Sequence, residues 1–509
     1  MATIKLETFA PGTPGNTSTA LFASKLQNAV TTAASGTVID CTSYTGSITL
    51  STSITITRSV TLLFGNLRLN LNTPQKNMFN VFAPNVSIIG VSRSTSSTAL
   101  DGRTIFSMAS TTSGAFHIYC ANNQSSGTSS NWASYSGLTL ENLDLLGVQS
   151  TYTSVAGVAT YTTRGVGGVV VAEGNPDQAA TNVQNVLINN VFINGATAHG
   201  IMIYGGMTSK LQKCRVTNAG GHAYYIAGGS TSMSLDTCYA LSSKLSGFCI
   251  HGSNYSTLNN CAADNCGVGY WLRSSGSISL VGCGAEASTV QSDIPNNLGL
   301  TLPSSAGNIT INDIGSDNIN HIKGISYFIS GGESNTLVNP YSKDPGNRAG
   351  LTTYSSKYTA HLVMYGDARF TNVISPKFTG TSPLKYDVRL EKLSGDGPNH
   401  NTIQTVYSSF DPTNPTESPD TDNLPVAEIL DQGEFNLFGL AGQLISWGDI
   451  TCEIADPAQS LIANNLKVSA SFIMPYYASD PADPVEGSTY YNTSDDKIYV
   501  YNGTIWTGH

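Results

Sequence analysis

Charge is scarce in this chain. Only 11% of its 509 residues are Asp, Glu, Lys or Arg, where an ordinary globular protein carries about 25%. Few exposed helices are therefore expected. The charge present is mostly negative, 34 Asp and Glu against 24 Lys and Arg. No basic stripe exists to neutralise phosphates, which argues against nucleic acid as a ligand. No run approaches about 18 consecutive apolar residues, so no membrane-spanning helix is expected. The opening MATIKLETFAPGTPGN has no basic stretch followed by an apolar one, so no secretory leader is expected and folding is assigned to a cytosol. Nine cysteines, an odd number, then predict reduced, buried thiols in preference to a disulfide framework. A P-loop, a dinucleotide fingerprint, zinc-ligand spacing and a G-x-S-x-G elbow are all missing, so no metal and no cofactor is expected.

Glycine is abundant instead, at 50 residues, and Ser, Thr and Asn fill long stretches between apolar ones. This composition suits extended β-structure with many tight turns, and 40% apolar content is enough for a continuous core. Self-comparison shows how that core is arranged. LQKCRVT, LDTCYAL, LNNCAAD and LVGCGAE begin at Leu211, Leu235, Leu258 and Leu280, and each places a cysteine three residues later, at Cys214, Cys238, Cys261 and Cys283. INNVFIN from Ile188 is a cysteine-free copy. GIMIYG, AYYIAG, GFCIHG and GYWLRS recur in phase with them, from residues 200, 223, 247 and 269.

A period of 22–24 residues with about three short β-type runs predicts an all-β fold, a parallel β-helix with coils stacked about 4.8 Å apart. Alternation along the second motif turns Ile201, Tyr224, Phe248 and Tyr270 inward and Met202, Tyr225, Cys249 and Trp271 outward. A second outward column holds Tyr204, Ala227, His251 and Arg273. Weaker copies upstream and downstream, among them NITINDIG and DVRLEKLSG, extend the expected stack over 37–405, with 148–167 read as a loop inserted between coils. Residues 1–36 are expected to form an arm and capping helix (about 18–33), 406–474 a linker and β-rich trimerisation region, and 475–509 a Tyr-rich hairpin or meander.

Both ends carry a resemblance. NTSTALFASKLQNAVTTAASGTVIDC, with its polar start, its Ala29/Val30/Ala33 face and the Gly-Thr-Val strand that follows, resembles the capped opening of pectate-lyase-superfamily β-helices, phage tailspikes in particular. Asn16 and Cys41-Thr42-Ser43-Tyr44 depart from that pattern. Pro481, Pro484, Glu486-Gly487, Tyr490-Tyr491-Asn492 and Tyr499-x-Tyr501-Asn502-Gly503-x-x-Trp506 resemble the tip module of phage tail fibres and tailspikes. The resemblance implies a right-handed β-helix, a homotrimer, attachment to other virion tail or adaptor proteins, a virion location after assembly in the host cytoplasm, and recognition of bacterial surface glycan (capsule, lipopolysaccharide or exopolysaccharide), with or without depolymerisation.

Candidate chemistry follows from the columns. The cysteine ladder reads as core packing; an inter-coil disulfide is sterically conceivable, and a metal would need ligands that converge. The outward residues Tyr204, Tyr225, His251, Trp271 and Arg273 read either as sugar-stacking platforms with a cation for an acidic group or as packing against a neighbouring subunit. His199 and His222 align beside a turn and read as locally hydrogen-bonded. Asp264 and Glu286 share an outward column one coil apart, the arrangement a glycosidase pair needs, and one of them desolvated against Trp271 would have a raised pKa. Asp236 lies on a nearby column, and Glu173 and Asp177 flank a loop that could overhang the groove. Lyase chemistry would instead have His251 or Tyr204 remove a C5 proton while Arg273 neutralises a uronate.

Overall fold

One coil shows how the sequence closes on itself. Lys210–Gln212 and Arg215–Ala219 are strands separated by a corner at Lys213, whose φ of 51° is left-handed. Tyr224–Ala227 supplies the third strand, and Ser232, at φ 54°, turns the chain into the next coil at Ser234–Asp236. Lys213, Thr237, Asn260, Gly282, Asn339 and Ser375 repeat the first corner at the same place in successive coils. Three single-residue corners of this kind give each coil three flat faces. The first face holds Ile201–Tyr204, Tyr224–Ala227, Ser246–His251 and Val268–Arg273; the second holds Lys210–Gln212 and its copies; the third holds Arg215–Ala219, Tyr239–Leu241, Ala262–Asp264 and Gly284–Glu286. The computed structural model describes residues 2–9, 19–71, 77–91, 103–108, 116–121, 137–147, 152–155, 158–161, 167–172, 183–196, 199–288, 300–304, 307–311, 324–345, 360–379, 388–392, 397–404, 407–409, 429–431, 437–439, 452–454, 476–477, 489–494, 497–501 and 504–508.

All pairings between coils are parallel and in register, with Leu211, Leu235, Leu258, Leu280 and Leu337 as consecutive partners. The interior is therefore built from columns of like residues. Tyr224, Phe248, Tyr270 and Tyr327 stack with ring centroids 4.7, 5.0 and 5.1 Å apart, within 7° of parallel. Each tyrosine of this stack spends its hydroxyl on the ladder opposite: Tyr224, Tyr270 and Tyr327 donate to the carbonyls of Cys214, Cys261 and Cys283 at 2.8, 2.6 and 2.6 Å. This joins apolar burial, worth about 1.5–3 kcal/mol per large side chain, to satisfaction of polar atoms that would otherwise be orphaned. The packing reading of the cysteines holds: Cys214, Cys238, Cys261 and Cys283 are unbridged and buried. Burial also pushes the Cys120 and Cys266 thiols up to about 12, so they stay protonated. Within the first-face strand Val268–Arg273, a Cβ on Gly269 would lie 2.6 Å from the Ser326 carbonyl oxygen and 2.7 Å from Ala285 Cβ, so only glycine fits.

The open lower end is capped by the helix Thr19–Thr32, which buries Phe22, Leu26, Ala29 and Val30. Gln27 completes the cap as a strand would, with Nε2 donating to the Thr55 carbonyl at 2.9 Å and Oε1 accepting from the Thr55 N–H at 2.8 Å. The arm contributes more than expected, because Thr3–Lys5 pairs in parallel with Val38–Asp40.

Three expectations change. The stack does not stop near 405, since Ile429–Asp431, Leu437–Gly439 and Cys452–Ile454 continue its ladders. Part of the region assigned to a trimerisation stalk is therefore coil; its inserts between strands hide the period, and its Pro/Asp-rich stretch 411–425 lies outside the described residues. NITINDIG is no coil strand, because Gly307–Ile311 pairs antiparallel with Leu300–Ser304. The insertion at 148–167 contains an antiparallel hairpin, Tyr152–Val155 with Val158–Tyr161. The chain divides into two compact units, Met1–Pro457 and Ala458–His509. In the second, Tyr476–Tyr477, Thr489–Asn492, Lys497–Tyr501 and Trp506–Gly508 form one four-stranded sheet, with the Tyr501 and Trp506 rings 5.3 Å apart.

Two stability predictions follow. Gln27→Leu leaves the Thr55 backbone groups unpaired at the capped end, at a cost of about 1–3 kcal/mol per group, so its thermal midpoint should drop; an unchanged midpoint would contradict the edge-capping role. His117 and His361 are buried in the stack, and burial lowers their pKa values from 6.5 to about 4 and about 3. Below pH 6.5 the unfolded chain binds protons that the fold refuses, so stability falls from there down to those folded values, by up to about 1.4 kcal/mol per pH unit for each imidazole. Melting temperatures that stay level between pH 7 and pH 4.5 would contradict this.

Candidate functional site

The first face holds most of the residues expected to meet sugar, and the structure covers them. Tyr225 and Trp271 are 0% exposed and Arg273 is 8% exposed, within an outer apolar cluster that also includes Met202, Cys249 and Phe328. The Arg273 guanidinium sits 5.7 Å over the Trp271 ring, whose Nε1 donates to Ser330 Oγ at 2.9 Å. His199, His222 and Tyr225 stack with centroids 4.8–5.0 Å apart, and the His222 N–H donates to His199 Nδ1 at 3.1 Å. The local hydrogen bonding expected of these histidines is present. His251 Nδ1 and the Tyr225 hydroxyl share a hydrogen bond at 3.0 Å. Burial, and then the Arg273 charge, lowers the His251 pKa to about 4. A neutral imidazole that weakly basic is a poor proton acceptor, so the elimination roles foreseen for His251 and Arg273 lack support. Tyr204 is partly exposed at the margin of the cluster. The stacking platforms foreseen at Tyr225 and Trp271 are thus corrected to a packed layer.

The third face is different. Its outward column reads Asp144, Phe192, Arg215, Tyr239, Ala262, Gly284, Tyr341 and Lys377, each the in-register partner of the one before. The Arg215 guanidinium lies between two rings, 5.5 Å from the Phe192 centroid and 5.2 Å from that of Tyr239. Lys377 Nζ lies 5.8 Å over the Tyr341 ring. Between these two cation–aromatic pairs, Ala262 and Gly284 leave a low floor two rungs long. Tyr239 and Tyr341 bound it, three rungs or about 14 Å apart. All six residues from Arg215 to Lys377 are at least partly exposed.

The expected carboxylates border that floor. Asp264 and Glu286 are in-register partners on adjacent strands, beside Ala262 and Gly284, and Lys343 follows on the next rung. Tyr239 donates its hydroxyl to Asp264 Oδ2, and burial with this bond raises the phenol's pKa to about 12. Asp264 thus leans on Tyr239. It does not meet Trp271, which belongs to the first face beyond the left-handed corner at Asn265. Asp236 does not join the pair; it is on the second face, where its partners are Gln212 and Asn259. Glu173 and Asp177 lie outside the described residues. No cluster of three or more His, Cys, Asp or Glu side chains suited to a metal occurs among the described residues.

Arg215, Tyr239, Tyr341 and Lys377 escaped sequence reasoning, although their signal was present. The residue directly after each ladder cysteine opens the third face, so CRVT, CYAL, CAAD and CGAE spell out Arg, Tyr, Ala, Gly up the column.

Comparison with known proteins bears on the fold. The family profile described as a right handed beta helix region matches residues 179–340. No curated protein matches by sequence. Similar solved structures include the A-module of the mannuronan C-5 epimerase AlgE6 of Azotobacter vinelandii, at 9% identity and a TM-score of 0.49 over 89% of this chain and all of that one. They include the gp42 tailspike of Acinetobacter phage vb_AbaP_AS12, at 10% identity and a TM-score of 0.46 over all of this chain and 82% of that one. Bacteriophage CBA120 tailspike protein 3 is similar at 9% identity and a TM-score of 0.41, over 99% and 68%. Likenesses this distant carry nothing about substrate. Parallel register, strand order and the matched profile together make the first unit a right-handed parallel β-helix.

Proposed function

We propose that the protein is a host-recognition tailspike or tail-fibre protein of a bacteriophage, a homotrimer that binds bacterial surface polysaccharide on the third face of its β-helix. The observation that carries the glycan reading is the outward column itself: a low Ala262/Gly284 floor between Tyr239 and Tyr341, bordered by Asp264 and Glu286. Exposed aromatic faces pack on the apolar faces of sugar rings. Carboxylates take strong charge-assisted hydrogen bonds from hydroxyls. A flat parallel sheet repeats these groups every 4.8 Å or so, which suits a polymer lying along the stack. The virion assignment draws its support from the resemblance carried by both ends, which in this chain contain the helix Thr19–Thr32 and the Tyr-rich four-stranded sheet.

Cleavage is a second reading, favoured by the pairing of Asp264 with Glu286 on adjacent rungs. Asp264, hydrogen-bonded to Tyr239, would be the fixed carboxylate and the exposed Glu286 the proton donor.

Gly284→Trp tests the binding site with little structural cost, since a Cβ there meets only the Tyr341 side chain, at 3.6 Å. It should fill the floor and abolish retention of the protein on host capsule or lipopolysaccharide with an unchanged melting temperature; undiminished retention would exclude this face. For the second reading, new reducing ends should form with wild-type protein and be lost in Asp264→Asn and Glu286→Gln. Full activity in both variants would remove the pair.

A further inference from the structure

The column that supplies the floor is symmetric in its chemistry. Read upward it runs cation, aromatic, small, small, aromatic, cation: Arg215, Tyr239, Ala262, Gly284, Tyr341, Lys377. The two cations are five rungs or about 24 Å apart. Among the described residues no carboxylate lies within ion-pair distance of either one. The carboxylate on their own column, Asp144, is occupied by Arg103 at 3.0 Å. The nearby Asp264 is taken by the Tyr239 hydroxyl. Arg215 Nε is shielded from solvent and makes no hydrogen bond, and the guanidinium lies between the Phe192 and Tyr239 rings.

A guanidinium lying between two rings has little freedom to seek another partner, and its forked donors suit bidentate bonds to carboxylate, sulfate or phosphate oxygens. In a chain with more acidic than basic residues, 34 against 24, two cations outside ion-pair distance of every described carboxylate mark where an outside anion is received. Asp264 and Glu286, midway between them, repel an anion at the centre of the floor and favour neutral hydroxyl-bearing sugars there.

Resting on the glycan reading above, we infer that the polymer bound by this face is an acidic heteropolysaccharide, lying along the stack with anionic groups at Arg215 and Lys377 and neutral sugars over Ala262 and Gly284. Uronate, sulfate ester and phosphate share the recognised chemistry.

The test is an array of polysaccharides bearing uronate, sulfate or phosphate groups, each beside its carboxyl-reduced, desulfated or dephosphorylated counterpart, probed with the full chain. Binding should be confined to charged forms, and the anion whose removal abolishes it identifies the source. Rising salt should weaken it. Arg215→Gln and Lys377→Gln should each lower affinity at least about tenfold, the scale of one charged hydrogen bond, and Arg215→Lys should restore only part. Should Arg215→Gln melt early, Lys377→Gln, on an exposed side chain, carries the comparison. Equal binding of charged and neutralised forms, or full affinity in both Gln variants, would overturn the inference and leave the glycan reading standing. Failure of every polysaccharide on the array would overturn both.

Discussion

Everything in this molecule depends on the vertical register of its parallel ladders. Because Leu235 sits on Leu211, and Leu258 on Leu235, every other residue of a coil is aligned with its counterpart above and below. Inside, alignment turns single side chains into continuous stacks such as Tyr224, Phe248, Tyr270 and Tyr327. A one-residue slip on one strand would move its inward residues to solvent, and three left-handed corners per coil hold the count fixed. Outside, the same register gathers residues far apart in sequence, such as Arg215 and Lys377, into one column. The proposed functional face is a by-product of the packing rule.

Much of this was legible in the sequence because the inner residues repeat in kind. A leucine and a cysteine three apart, four times over, fix the period, and alternation fixes which side of a strand is inward. The core reading of Cys214, Cys238, Cys261 and Cys283 and the pairing of Asp264 with Glu286 both came from that rule. It fails where inserts lengthen a coil, as around Leu437–Gly439 and Cys452–Ile454, and where a short apolar run such as Gly307–Ile311 finds an antiparallel partner nearby.

The outer faces were harder to read, for a physical reason. Alternation separates inward from outward, but outward does not mean exposed. Tyr225 and Trp271 point away from the core of the stack and yet are wholly buried in a second apolar layer. Nothing in GFCIHG or GYWLRS distinguishes that layer from open surface, because a covered outer face and a sugar-binding face both favour aromatic residues. The third face carries fewer aromatics, and its distinguishing feature is the small pair Ala262 and Gly284 between larger neighbours, a pattern that shows only once the coils are stacked.

The central claim is that a polysaccharide lies on that third face. Hydroxyl-radical footprinting of the protein with and without its host's surface polysaccharide reads it directly, residue by residue. The account predicts that Tyr239 and Tyr341 are protected from oxidation by the glycan while Tyr255 and Phe370, exposed at the corner between the first and second faces, are labelled equally in both. Protection of Tyr255 and Phe370 with Tyr239 and Tyr341 unchanged would contradict it.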